Sequence, residues 1–196
     1  MKVLIACEYS GKVRDAFIKA GHDAISCDLL EGEGEFHRDH YQGSCWEVID
    51  NPTKREAFKG IDLLIAFPPC THLCVSGARY FAEKRADGRQ QEGIDFFMRL
   101  VNANIPKIAI ENPVGIMSTH YKKPTQYIQP WEFGHGETKK TGLWLKGLPK
   151  LTPTDIVEGR EQRVHLLPPS KDRWKLRSTT YQGIADAMAS QWGALT

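Results

Sequence analysis

Cys70 is the residue whose setting first suggests chemistry. It follows Ala66-Phe67-Pro68-Pro69 and precedes Thr71-His72, directly after an apolar run, Ile61 to Phe67, that reads as a buried strand. Two prolines fix the backbone and withhold their N–H groups, so the loop is stiff and the thiol is held in a defined place. A thiol presented in this way suits a nucleophile; a Pro-rich turn carrying a half-buried cysteine fits the heptapeptide equally well. A second polar ending follows: the apolar strand from Asn104 closes on Glu111-Asn112-Pro113. If the two strands are neighbours, a thiol and a carboxyl share one crevice, at the strand ends where open α/β sheets bind ligands.

Two stretches upstream could bind a polar ligand beside them. Lys2 to Cys7 reads as a first strand and is followed by Glu8-Tyr9-Ser10-Gly11 and a helical pattern, Val13 to Ala20, with Gly21 as its stop. Ser10 is placed to cap that helix, and the N–H groups at its start suit a polar ligand. The turn is not G-x-G-x-x-G, which argues against a nicotinamide or flavin dinucleotide. A second strand, Asp23 to Leu29, closes on Asp28, at the offset where nucleotide-binding α/β folds place a carboxylate for ribose hydroxyls. An acid in a polar loop beside Glu31, Glu33 and Glu35 is the plainer reading of Asp28 taken alone.

The elements needed to position these groups follow in order. Gly32 to Gly43 is a polar loop with His37, Asp39, His40 and Tyr41, and Trp46 to Asp50 reads as a short helix. Val75 to Arg89 is mixed and basic, broken by Gly77 and Gly88, and reads as a mobile loop over the site. Ile94, Phe97, Met98 and Val101 recur at helical spacing and predict a core-facing helix over 90–102. Thr141 to Lys146 reads as a strand, Leu151 to Arg177 as a basic loop, and Tyr181 to Trp192 as a helix. The pattern is β-α-β, β-α-β and a mixed tail, an α/β class with a mostly parallel sheet.

Composition bounds the rest. The 196 residues suit one well-buried domain, 1–196, and 41% hydrophobic with 26% charged residues is ordinary for a globular protein. No apolar run approaches a membrane span and no secretory signal is read at the start, so a cytoplasmic protein is expected. The five cysteines are an odd number, which argues for free thiols, and no second Cys/His pair at zinc-finger spacing follows Cys70 and Cys74. No metal is expected. The net charge of +2 hides an asymmetry: Lys139 to Arg177 holds ten Lys/Arg against four acids, giving +6, so the remainder carries −4. Such a segment can face a phosphate backbone, and a solvated basic surface fits it as well.

The ordered set Ala6-Cys-Glu-Tyr-Ser-Gly11, Asp28, Phe67-Pro-Pro-Cys70, Glu111-Asn-Pro113 and Tyr181-Gln-Gly-Ile-Ala-Asp-Ala-Met188 resembles the DNA (cytosine-5)-methyltransferases, particularly their short phage and prophage forms. The resemblance implies a Rossmann-like fold with helices on both faces of the sheet and S-adenosyl-L-methionine as cofactor. It implies that Cys70 adds to C6 of cytosine so that C5 can take a methyl group, with Glu111 stabilising the ring at N3. On the same basis Glu8, Tyr9, Ser10, Gly11, Asp28, Leu29, Phe67 and Pro68 would bind the cofactor, and Pro69, Asn112, Pro113, Lys140 and Arg163 the substrate. A base stacked in a duplex must be flipped out to reach such groups.

The pattern departs from the family in several places. Tyr9 stands where an aromatic adenine contact is expected, Asp39 or Ser44 would have to meet the adenine amino group, and Gln162-Arg163 or Lys139-Lys140 would replace the Gln-x-Arg-x-Arg element. Residues 118–177 form a reduced, basic, substrate-facing region, with 178–196 closing on the cofactor side, and leave little room for a target-recognition domain. The expectations are DNA as partner with weak sequence preference, or a protein partner that supplies it. Cytosine in RNA, a free cytosine nucleotide, or a non-catalytic binding module are the alternatives.

Overall fold

A computed structural model describes residues 1–51 and 59–195; Thr196, the last residue of the expected C-terminal segment, lies outside them. The chain runs through β1 (Lys2–Ala6), α1 (Lys12–Lys19), β2 (Asp23–Asp28), β3 (His40–Gln42), α2 (Cys45–Ile49), β4 (Leu63–Ala66), α3 (Phe81–Ala86), α4 (Arg89–Val101), β5 (Lys107–Pro113), α5 (Met117–His120), β6 (Gln126–Ile128), β7 (Thr141–Lys146), α6 (Arg163–Leu166), α7 (Arg173–Ser178) and α8 (Gln182–Gly193). Seven strands form one sheet in the order β3-β2-β1-β4-β5-β7-β6. The first five are parallel, and β7 runs antiparallel to both β5 and β6.

The strand period of two divides the core. Val3, Ile5, Leu63, Ile65, Ala109 and Leu143 meet α1 and α8 on one face. Leu4, Ala6, Leu64, Ala66, Ile108, Ile110 and Trp144 meet α2 and α4 on the other. Helices therefore cover both faces, as a parallel sheet with apolar residues at consecutive positions requires. β1 pairs with β2 on one side and β4 on the other, so the chain changes direction across the sheet between them. A crevice opens at the carboxyl ends of β1 and β4 in such a topology.

The same alternation sorts the functional candidates. Glu111 continues the parity of Ala109 toward α8, whereas Asn112 continues that of Ile110 toward α4. Cys7 breaks the pattern. Its φ of 60° is the only positive value at a non-glycine among the described residues, and its side chain packs with the α2 and α4 cluster.

Several elements differ from the sequence expectation. Residues 75–86 are not a loop but a 3-10 turn, Val75–Tyr80, leading into α3, whose buried Lys84 donates to Thr71 O at 2.6 Å. The basic tail contains α6 and α7, two short helices without a long apolar stripe. β3 and β6 have three residues each, too few for a period to register. No described helix is long and apolar enough to cross a membrane.

The turn after β1 is also built differently. The N-cap of α1 is Gly11 at φ 69°, and Ser10 does not cap the helix. The buried Glu8 carboxylate instead accepts from Val13 N at 2.7 Å and Arg14 N at 3.3 Å, while Ser10 Oγ donates to it at 3.4 Å. A β-carbon on Gly11 would overlap the Arg14 guanidinium and Glu33 O. That guanidinium, fully buried, holds Asp15 at 2.8 Å, Ser26 Oγ at 2.9 Å and Glu33 O at 2.6 Å, fixing the loop after β2.

Burial raises the Glu8 pKa from 4.5 to about 7, against the lowering effect of the two N–H groups and Arg14. Glu8 thus binds its proton more tightly folded than unfolded. Its contribution to stability is full below pH 4.5 and is lost as pH rises toward 7. Denaturant titrations at stepped pH should show wild-type stability falling relative to Glu8→Gln by roughly 1.4 kcal/mol per pH unit across that window. A pH-independent difference between the two proteins would contradict this assignment.

Candidate active site

Pro68, Pro69 and Cys70 leave the carboxyl end of β4, and Glu111, Asn112 and Pro113 form the carboxyl end of β5, its parallel neighbour. The two endings are tied together. Asn112, 1% exposed, donates its amide to Pro68 O at 3.0 Å. Val75 N donates to Val114 O at 3.1 Å and Ile116 N to Leu73 O at 3.0 Å, so the thiol loop is laced to the chain leaving β5. At Gly115 a side chain would run into Leu73 O, which makes glycine necessary for this approach. The loop is therefore held by the strand it must face.

Cys70, Glu111 and Lys139 are close enough to act on one another electrostatically. Burial pushes the Cys70 thiol up to about 11, Glu111 and Cys74 push the same way, and Lys139 opposes them. Burial also raises the Glu111 carboxyl above its ordinary value, offset by Lys139 and by a hydrogen bond from Thr141. Lys139 is lowered by its own burial, with Glu111 and Cys70 holding its proton on. The thiol, carboxyl and amine thus lie near one another in poorly solvated surroundings, each biasing the protonation of the others.

The recess is lined by Phe67, Glu111, Lys139, Thr141, Tyr181 and Met188, among others, and encloses about 20 Å³, room for a single water. Tyr181 donates to Glu137 at 2.7 Å, and Gly183 N donates to His135 Nε2 at 3.1 Å. These bonds fix the start of α8 as one wall. Lys139 is placed by its own backbone, whose N–H donates to Gln129 Oε1 at 3.0 Å, and by an Nζ hydrogen bond to Thr179 O at 3.4 Å.

A separate cleft of about 130 Å³ lies at the ends of β1 and β2, lined by Cys7, Cys27, Asp28, Leu29, Gly43, Ser44, Cys45, Pro69 and Phe96. Asp28 accepts from Leu30 N at 3.0 Å. Leu29 is 74% exposed at this cleft. An apolar slot with a carboxylate at its edge can hold a flat heterocycle joined to a diol. Ser44 lines the cleft and its hydroxyl accepts from Trp46 N; Asp39 is exposed and is not among the lining residues.

Not every sequence candidate gathers at these two cavities. Asp28, Leu29 and Pro69 line the cleft, and Phe67 and Glu111 line the recess. Glu8, Ser10 and Gly11 build the α1 turn from within, and Pro68 is buried, its carbonyl held by Asn112. Asn112 is thus occupied as a clamp, and Pro113 pairs with Thr141 of β7. Tyr9, 7% exposed, donates to Lys175 O at 3.2 Å beneath α7. Lys140 is exposed with its ammonium 4.4 Å from the Tyr127 ring centroid, and Arg163 is paired with Glu137 at 2.8 Å. The cation in the recess is Lys139, and Phe96, Cys27 and Cys45 of the cleft carried no sequence signal. Among the described residues no His, Cys, Asp and Glu side chains group as metal ligands.

No protein-family model matches this chain, and no curated protein matches it. Among solved structures, it is similar to one described as a DNA modification methyltransferase encoded within a prophage of E. coli. That match covers 85% of this chain and 55% of the other, at 16% identity and a TM-score of 0.52. The Entamoeba histolytica methyltransferase EhMeth is matched over 86% of this chain and 60% of its own, at 12% identity and a TM-score of 0.43. The chain thus spans little more than half the length of either. The likeness to the prophage structure is one of fold: an α/β sheet, mostly parallel, with helices on both faces.

Two outcomes follow from the site. At pH 8, alkylation of Cys70 by iodoacetamide, followed by peptide mass mapping, should be slower than that of a free thiol, and slower still in Lys139→Gln. An unchanged rate in the variant would remove Lys139 from the thiol's surroundings. Asn112→Ala should cost about 1–3 kcal/mol in denaturant unfolding, because Pro68 O loses its buried donor. A loss under about 0.5 kcal/mol, with Cys70 alkylation unchanged, would show that the clamp holds nothing.

Proposed function

We propose that this chain is an S-adenosylmethionine-dependent methyltransferase that modifies C5 of cytosine in DNA through a covalent bond to Cys70. The observation that carries the reading is the meeting of Cys70, Glu111 and Lys139 at two tied strand endings, beside a cleft that ends in a carboxylate. The fold shared with a structure described as a DNA modification methyltransferase supports it.

In this reading C5 of cytosine is a poor nucleophile until C6 carries an added group. The Cys70 thiol first loses its proton to water, with the Lys139 ammonium favouring the thiolate. The sulfur then bonds to C6, and the ring's electron pair is drawn toward N3 and C5. Glu111, whose raised pKa keeps its proton available, donates that proton at N3 and neutralises the charge as it forms. A bound S-adenosylmethionine would supply a methyl group on a sulfonium for the C5 electron pair, its sulfur leaving as the neutral thioether. Loss of the C5 proton to water then re-forms the C5–C6 double bond and expels Cys70 as thiolate, and N3 returns its proton to Glu111.

The cleft residues fit the cofactor's parts: Asp28 the ribose hydroxyls, with Pro69, Phe96 and Leu29 forming apolar walls for adenine. The recess beside Glu111 has room for one water, so base entry requires its α8-side wall, Thr180 and Tyr181, to withdraw. The whole chain would act as one unit, with the basic region 118–177 facing the substrate. Residues 147–181 hold only two short helices between β7 and α8, which favours a short target sequence or a partner that supplies one.

Incubation with methyl-labelled S-adenosylmethionine and DNA, RNA or dCMP should place label on DNA, as 5-methylcytosine. Cys70→Ser should lose about 10³-fold or more of that rate, and Glu111→Gln roughly 10²–10⁴-fold. Label on RNA or dCMP alone would replace the substrate; a Cys70→Ser protein with wild-type activity would refute the covalent route.

A further inference from the structure

α7 carries exposed side chains that the core does not explain. Trp174 is 49% exposed and Leu176 51%, among Lys171, Arg173, Lys175 and Arg177. Lys175 lies 3.6 Å from Glu33, whereas Lys171, Arg173 and Arg177 make no ion pair among the described residues. Apolar side chains left in water amid unpaired cations suit an anionic ligand with flat apolar faces.

The helix is also anchored where such a ligand would matter. Tyr9 OH, from the turn after β1, donates to Lys175 O at 3.2 Å and lies 3.4 Å from Thr179 Oγ1. The Tyr9 and Trp174 rings meet at 5.8 Å between centroids, so one side of the indole rests on protein. Lys139 Nζ donates to Thr179 O at 3.4 Å, one residue beyond α7, and the Arg177 charge acts on Lys139. α7 is thereby fixed between the turn after β1 and the recess lined by Glu111 and Lys139.

We infer that α7 seats an unstacked DNA strand beside the reactive recess, with a base stacked on Trp174 and with Lys171, Arg173 and Arg177 on the phosphates. The inference rests on the nucleic-acid reading of the site and adds where the strand lies. Every base has a π-face and every nucleotide a phosphate, so the seat would hold DNA with little sequence preference. The charge asymmetry of the sequence agrees with a polyanion: the segment from Lys139 to Arg177 is +6 in a chain of +2. The exposed indole requires more than charge, because a ligand bound by phosphates alone would leave it in water.

The test is binding of a fluorescein-labelled, mixed-sequence single-stranded DNA to the full chain, read by anisotropy without cofactor. Trp174→Ala should weaken binding about tenfold, with Trp174→Phe recovering most of it through the retained ring. Leu176→Ala, two positions along and so on the opposite side of the helix, should bind DNA as wild type does; a loss equal to that of Trp174→Ala would contradict the stacking. Lys171→Gln with Arg173→Gln should reduce the slope of log K against log salt by about 1.4. Thermal melts of all variants within a few degrees of wild type separate these effects from misfolding. Trp174→Ala binding DNA within twofold of wild type would overturn the inference. So would loss of binding to anionic phospholipid vesicles, or of self-association, with DNA binding retained. The two readings fail separately: wild type that binds DNA in this pattern but transfers no methyl group to it sinks only the transferase, whereas methyl transfer with Trp174→Ala indistinguishable from wild type sinks only the seat.

Discussion

The hydrogen bond from the buried Asn112 amide to Pro68 O is the constraint on which the site depends. Parallel pairing of β4 and β5 brings two chain endings side by side but does not fix how either continues. Prolines cannot join a backbone ladder as donors, so Pro68 and Pro69 need another means of attachment. Asn112 provides it from the adjacent strand, and the Val75–Val114 and Leu73–Ile116 hydrogen bonds extend the lacing. Alternation along β5 does the rest: the residue before the clamp, Glu111, must project to the opposite face, into the recess.

Within that recess the chemistry is governed by poor solvation. Burial favours the neutral form of both Cys70 and Glu111, which on the proposed reaction suits the acid and not the nucleophile. Lys139 favours the anion of both, so it helps the thiolate form at some cost to the proton on Glu111. On the proposed reaction, a neutral ring entering this recess would exclude water and strengthen each interaction. The cleft at Asp28, by contrast, requires little of the protein's charge and mostly offers shape.

The sequence carried much of this. Apolar runs ending on Pro-Pro-Cys and Glu-Asn-Pro located two parallel strands and the carboxyl ends on which Cys70 and Glu111 sit, and α1, α4 and α8 followed from their periodicity. Other features were hidden for physical reasons. Lys139 and Lys140 are equivalent in a sequence; the register of β7 against β5 and the hold of Gln129 decide which one enters the recess. Asn112 reads as a substrate contact until its parity turns it inward. Cys7 faces the α2 side only because its backbone is left-handed, which no pattern announces. β3, β6 and α7 are too short to show a period, and long-range contacts stabilise them.

The covalent role of Cys70 is the claim that most needs a direct reading. A DNA oligonucleotide containing 5-fluorocytosine, incubated with the protein and S-adenosylmethionine, blocks the final proton loss and should leave the strand bonded to Cys70. Intact mass of the complex, then fragmentation of the peptide carrying residues 66–74, should show one oligonucleotide on Cys70 together with one methyl group. An adduct on any other cysteine, or methylation of ordinary cytosine by a protein that never forms an adduct with the fluorinated strand, would contradict the mechanism.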